Sequence, residues 1–393
     1  MTSRERLLAV IRREVPDTVP IFIRGVSPIN KNMNWMGRHH ESYERLRTLV
    51  WEHTDLFHAT GFDTGAFLSG AGAGVTESVI REDEDWRDIE EEIATPRGPI
   101  RSLTRRSRHN LYEVMEVEYF IKDAEDFRRF MSIPYVPVRP DVKEEIRRKE
   151  QEAGEHGLVT VGIPEAIGLA HTLLGSEGLA LWSVLHRDML DELFSRLQER
   201  ILDYVRHILA GGAGPILSCG GAELAVPPLM TPKDFHDFVT VIDKPVHDLA
   251  HEHGRYTWIH CHGKLDEVLE EFMEIGVDIL EPVEAPPGGN VGLAQAKRRI
   301  GAEVVIMGNM PYEAIISWPE EKIRRRVKAD CEAAMDGGGF IMMPCASPFE
   351  PILTDEGFEG FKTYITAGRE YGKYGRKQAG RARGRRESAL RKT

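Results

Sequence analysis

Eight short apolar runs recur along the chain, at 19–24, 62–67, 158–164, 215–219, 256–260, 277–281, 303–308 and 339–343, and helical patterns separate most of them. The helical stretches are clearest at 189–210, 232–253, 264–276 and 319–335, with Gly254, Gly276 and Gly337 where C-caps are expected. Apolar runs without strict alternation are strands covered on both faces, so the pattern predicts a parallel sheet wrapped by helices. Eight such strands suit a closed (β/α)8 TIM barrel better than an open sheet, and they place any active site at the carboxyl ends of the strands. Residues from about 75 to 135 break the rhythm. The stretch 91–104, turning at Pro96-Arg97-Gly98-Pro99, and the stretch 112–119 read as an antiparallel hairpin inserted after the second strand. No linker rich in Gly, Ser or Pro interrupts the body, so 1–372 is read as one domain, followed by a basic tail at 373–393.

Charge is divided unevenly. The net charge is −12, yet 375–393 holds eight Lys or Arg against Glu387 alone, which leaves −19 on the rest. An acidic body excludes a nucleic-acid surface on the folded part, and the tail, with one Leu and no aromatic residue, is expected to be disordered. No apolar run approaches the roughly 20 residues that span a bilayer. The start, Met1-Thr2-Ser3-Arg4-Glu5-Arg6, has no apolar signal core. Cys219, Cys261, Cys331 and Cys345 are too sparse for a disulfide framework. A soluble cytoplasmic protein is the expectation. No nucleotide motif is present: Gly70-Ala71-Gly72-Ala73-Gly74 lacks the Lys-Ser/Thr of a phosphate loop.

The strongest chemical signal is Trp258-Ile259-His260-Cys261-His262-Gly263 at a strand end. Side chains alternate along a strand, so His260 and His262 share one side, about 6–7 Å apart, and both can reach a zinc ion. Cys345, after the last strand, is placed for a third ligand. Glu223, after the fourth, can complete a tetrahedral shell. The plain alternative is a pair of ordinary polar residues beside an inert core cysteine. On the same face Arg24 ends the first strand and can hold an anionic substrate group or simply pair with an acid. Asp63 is a second substrate-binding candidate. Glu281 and Glu284 flank the sixth strand end, where Glu281 is a candidate general acid or base, or a solvated loop acid. Asn309 ends the seventh strand and can orient substrate.

The same residues carry a family likeness. Thr2-Ser3-Arg4-Glu5-Arg6-Leu7-Leu8-Ala9 with Pro16-Asp17-Thr18-Val19-Pro20, then Thr231-Pro232-Lys233-Asp234-Phe235, Gly308-Asn309-Met310, and Gly337-Gly338-Gly339-Phe340 leading to Pro344-Cys345, resemble the uroporphyrinogen decarboxylase superfamily across about 2–372. The resemblance implies the barrel already expected. True decarboxylases carry Met-Arg-Gln-Ala-Gly-Arg after the first strand and a Gly-His-Gly segment near the end. Here the first reads Ile23-Arg24-Gly25-Val26-Ser27, and Cys345 stands where the His would be. The other branch, zinc-dependent cobamide-linked methyltransferases, has His-x-Cys-Gly and a later Cys. This chain has His260-Cys261-His262-Gly263 and Cys345, so His262 replaces a Cys and Cys261 lies out of register. A His/His/Cys set leaves zinc less neutralised and more Lewis-acidic.

That resemblance therefore implies an O- or N-demethylase component, moving a methyl group from a small substrate to a corrinoid. No Asp-x-His-x-x-Gly motif is present, so the corrinoid would be carried by a partner protein that the basic tail helps to dock. Two other readings stay open. One is a metal-free decarboxylase of a polycarboxylate bound through Arg24. The other is a non-enzymatic metal-binding barrel.

Overall fold

The computed structural model describes residues 1–29, 40–62, 67, 74–109 and 113–375. Asp63 and the tail beyond 375 lie outside the described residues. The first helix, Ser3–Ile11, is fixed by a capping box in which Thr2 and Glu5 satisfy each other's backbone N–H groups. Its Leu7, Val10 and Ile11 are buried against the inner face of the sheet.

That sheet is parallel. Strand β1 (Leu56–Thr60) is followed by a separate antiparallel sheet of β2 (Val75–Glu82), β3 (Trp86–Ile93), β4 (Ile100–Ser107) and β5 (Val114–Glu118). The parallel series resumes with β6 (Gly157–Gly162), β7 (Ile216–Gly220), β8 (Tyr256–His260), β9 (Ile279–Glu281), β10 (Val305–Met310) and β11 (Phe340–Pro344). Hydrogen-bonded neighbours run β1-β6-β7-β8-β9-β10-β11, seven strands rather than the eight expected from the sequence.

The missing strand is the segment 19–23, which makes an isolated bridge between Ile21 and Met342. Phe22 N donates to Met342 O and Met342 N to Pro20 O, both at 2.9 Å, while Asp55 N donates to Ile21 O at 2.7 Å. The segment is thus bonded to β11 on one side and to the residue preceding β1 on the other, without extending into a strand. The reason is in the backbone donors. Pro20 has no N–H to offer a ladder, and the Ile21 N–H goes to the Asp55 carboxylate at 2.9 Å.

Of the run expected at 62–67, residues 63–66 lie outside the described residues; the second strand of the parallel series is Leu56–Thr60. A buried His58, held by Glu152 at 2.8 Å, interrupts its apolar character and hides it from a hydropathy reading. The inserted hairpin is a four-stranded sheet in the order β2-β3-β4-β5. Some of its cross-strand pairs are ionic, as where Arg105 grips Asp88 through two bonds of 2.7 and 2.9 Å. Among the described residues no helix is long and apolar enough to cross a membrane.

Inside the curl, alternation sorts the residues into layers. Phe57, Leu158, Ile216, Trp258, Ile279, Val305, Met307, Ile341 and Met343 form one apolar cluster with the first helix. Two positions further along the strands stand Ala59, Thr160, Ser218, His260 and Glu281. Where the apolar layer ends, small and ionisable side chains begin.

Candidate active site

Glu281 organises this upper layer. Strands β8 and β9 pair with His260 opposite Glu281, which sets the two side chains next to each other. The Glu281 side chain is fully buried, and its Oε1 accepts from Arg24 Nη1, from Trp258 Nε1 at 3.2 Å and from the His260 ring at Nδ1, 2.9 Å away. Burial alone would raise its pKa, but the charge of Arg24 and the His260 ring outweigh it and hold the carboxyl down at about 2. Its Oε2 is buried with no donor.

His262 repeats the arrangement one step on. Its Nδ1 lies 2.9 Å from Glu284 Oε2, and the ring stands edge-on to His260 with centroids 4.6 Å apart. Burial pulls the His262 pKa down, yet the Glu284 contact and the neighbouring acids raise it on balance. Each imidazole thus commits Nδ1 to a carboxylate and leaves Nε2 as the nitrogen that could meet a metal, a carboxylate–histidine pairing of the kind that orients metal ligands.

The other sequence candidates are distributed around this pair. Cys345 is buried, with its N–H on Met310 O at 2.8 Å, and burial together with Glu284 pushes its thiol up. Glu223 sits in the turn Ala222–Ala225 with Oε2 buried and without a donor. Asn309 Oδ1 accepts from Arg326 Nη2 at 3.1 Å, and Asp330 braces Arg326 through contacts of 2.8 and 2.9 Å. A cavity of about 430 Å³ opens beside Arg24, His260 and Glu281; Glu223, Asn309 and Cys345 lie outside its lining.

The donor types in His260, His262, Cys345 and Glu223 fit zinc by their chemistry, and two buried carboxylate oxygens in this region have no partner. Among the described residues, however, the triad whose ligand atoms lie within 4.8 Å of one another is His236, Glu271 and Glu274, a half-exposed group away from the sheet interior.

Sequence reasoning missed a second acidic pair. Glu165 follows β6, Asp243 sits on the helix Val241–Glu252, and both are buried at 4% and 5% exposure. Burial raises both carboxyls. Asp243 is pushed to about 7, and burial, with Asp243 and Glu223 adding like charge, holds Glu165 well above the usual carboxyl range. A raised folded-state pKa makes stability fall as pH rises from about 4 through 7. Asp243→Asn should therefore be more stable than wild type by about 1 kcal/mol at pH 8 and no more stable at pH 4.5. Thermal melts at the two pH values check this, and equal shifts at both would refute a buried titrating pair.

Ionisable groups collected at the carboxyl ends of a curled parallel sheet define a catalytic-type α/β site. The comparisons carry this one step further. Residues 114–356 match the family profile described as uroporphyrinogen decarboxylase (URO-D), and the chain belongs to that family. A methyltransferase from Methanosarcina mazei shares the fold, with a TM-score of 0.57 at 18% identity over 94% of this chain and 99% of that one. A D-psicose 3-epimerase from Clostridium cellulolyticum H10 is far more distant, with a TM-score of 0.33 at 11% identity over 58% of this chain and 83% of that one. No curated protein matches the sequence.

Proposed function

We propose that this chain is a methyltransferase that takes a methyl group from the oxygen or nitrogen of a small substrate and passes it to a corrinoid carried by a partner protein. The observation that carries the reading is the His260–His262 pair, each ring fixed through Nδ1 by its own carboxylate. A carboxylate bonded to Nδ1 sets the tautomer of a histidine and raises the basicity of its other nitrogen. His260, His262 and Cys345 would hold zinc, with Glu223 as a displaceable fourth ligand. When bound, the metal would supply Lewis acidity toward the atom that gives up the methyl group. Glu281 acts in this scheme as a positioning residue: at a pKa of about 2 it stays ionised and holds Arg24 and His260 in place. Asn309, tethered by Arg326, would orient substrate from the β10 end. Arg24 would bind an anionic substrate group, with Asp63 a further substrate contact. A polycarboxylate decarboxylase is less well supported, because the cavity lining contains one arginine where several carboxylates would each need a cation.

Elemental analysis tests the metal. We expect near one zinc per chain, lost in His262→Ala and in Cys345→Ala but retained in His236→Ala, which removes the triad outside the sheet. Zinc retained in both site variants, or absent from wild type, would sink the reading.

A further inference from the structure

The cavity beside Arg24 is shaped by what is missing from the upper layer. On β1, β6 and β7 the residues facing it include Ala59, Thr160 and Ser218, side chains too short to fill the interior. Its floor is aromatic. Phe22 meets Phe57 at 5.2 Å and Trp258 at 6.3 Å, and Phe57 meets Trp258 at 5.0 Å between ring centroids. One wall carries the Arg24 guanidinium, which spends a single Nη on Glu281 and finds no other acceptor among the described residues. The remaining Nε and Nη groups of an arginine form a planar fork that matches a carboxylate.

We infer that this cavity takes a small aromatic carboxylate, its carboxylate on Arg24 and its ring on the floor of Phe22, Phe57 and Trp258. The inference rests on the methyltransferase reading only for the methyl group such a ring would carry; the binding itself does not. Three observations narrow the class. The volume, about 430 Å³, lies toward the small end of ligand sites, so the ligand is compact. A single available cation favours one carboxylate over several. An aromatic floor favours a flat ring over a saturated one, because aromatic pairs gain attraction beyond the area they bury. A methylated ammonium suits rings equally well, but the Glu281 carboxylate that would attract it spends Oε1 on Arg24, Trp258 and His260 and keeps Oε2 buried.

The test is calorimetric titration of the full-length protein with benzoate, benzamide, cyclohexanecarboxylate and tetramethylammonium. Benzoate should bind. Benzamide should bind at least about tenfold more weakly, since it lacks the charge that a guanidinium pairs with. Cyclohexanecarboxylate should bind about fivefold more weakly. Ser218→Leu, which fills the cavity, should abolish benzoate binding while circular dichroism stays unchanged. Arg24→Lys should keep part of the benzoate affinity and lose the preference over benzamide. Equal affinity for benzoate and benzamide, tighter binding of tetramethylammonium, or benzoate binding that survives Ser218→Leu in a folded protein would each overturn the inference.

The two proposals fail separately. Methyl transfer from methanol or a methylamine to reduced corrinoid, with no benzoate binding, removes the aromatic carboxylate and leaves the methyltransferase. Selective benzoate binding by a protein that transfers no methyl group to corrinoid does the reverse.

Discussion

Glu281→Gln is expected to lower zinc affinity by about 10- to 100-fold, the usual cost of removing a carboxylate that orients a metal-ligating imidazole. The effect is large because one oxygen serves three donors. Arg24, Trp258 and His260 all converge on Oε1. A glutamine can place an oxygen there, but it loses the charge, and its amide N–H groups fall where Oε2 now lies buried without a partner. Stability should drop by about 1–3 kcal/mol, a range discounted for the part-exposed Arg24 side chain. The pH dependence separates this loss from a simple packing defect. The Glu281 carboxyl falls from 4.5 to about 2 on folding, so its contribution is present above about pH 4.5 and is lost as pH falls toward 2. Wild type and Glu281→Gln should differ most at pH 7, with the gap shrinking below about pH 4.5 and closing only toward pH 2. A gap that persists at low pH would show that the carboxylate charge is not what the site depends on.

What the sequence could reveal follows from how local each signal is. Strands β6 to β11 were legible because a strand buried on both faces writes itself as an unbroken apolar run. The edges of that series were not. Ile21 lies in an apolar run, yet Asp55, 34 positions away, takes its N–H and limits the segment to a bridge. Strand β2 is exposed along its whole length, so it shows neither the alternation nor the apolar run that marks a strand. The site shows the same division. His260 and His262 stand out as a pair two residues apart, and strand alternation predicts their common side. Their carboxylate partners depend on sheet register, since His260 meets Glu281 only because β8 and β9 pair at that position. Glu165 and Asp243 share neither a strand nor a helix, and no pattern in either neighbourhood foretells their contact. Asn309 could be placed at a strand end, but its tether to Arg326 comes from the helix Glu320–Ala334, which packs outside the sheet.

The second large effect concerns the loop that carries Arg24. Gly25 has φ +76°, and a Cβ built there would lie 2.4 Å from Ser347 Cβ and 2.5 Å from its Oγ. Two loops, one leaving the first segment and one leaving β11, are thereby pressed together at the mouth of the site. Gly25→Ala meets two separate penalties. A left-handed backbone costs a residue with a Cβ about 1–2 kcal/mol, and the clash with buried Ser347 adds about 1–3 kcal/mol because the methyl group has nowhere to go. The total, about 2–5 kcal/mol, is measurable by urea denaturation. It should come with lower zinc content and weaker benzoate binding, since Arg24 adjoins Gly25 and Cys345 lies two residues before Ser347. The double variant Gly25→Ala/Ser347→Gly separates the two penalties. Removing the Ser347 side chain relieves the clash and leaves the backbone strain, so about half of the lost stability should return, together with most of the zinc and benzoate binding. Recovery of stability without recovery of binding would show that the two loops do not position the site. A Gly25→Ala protein as stable as wild type would show that they do not touch.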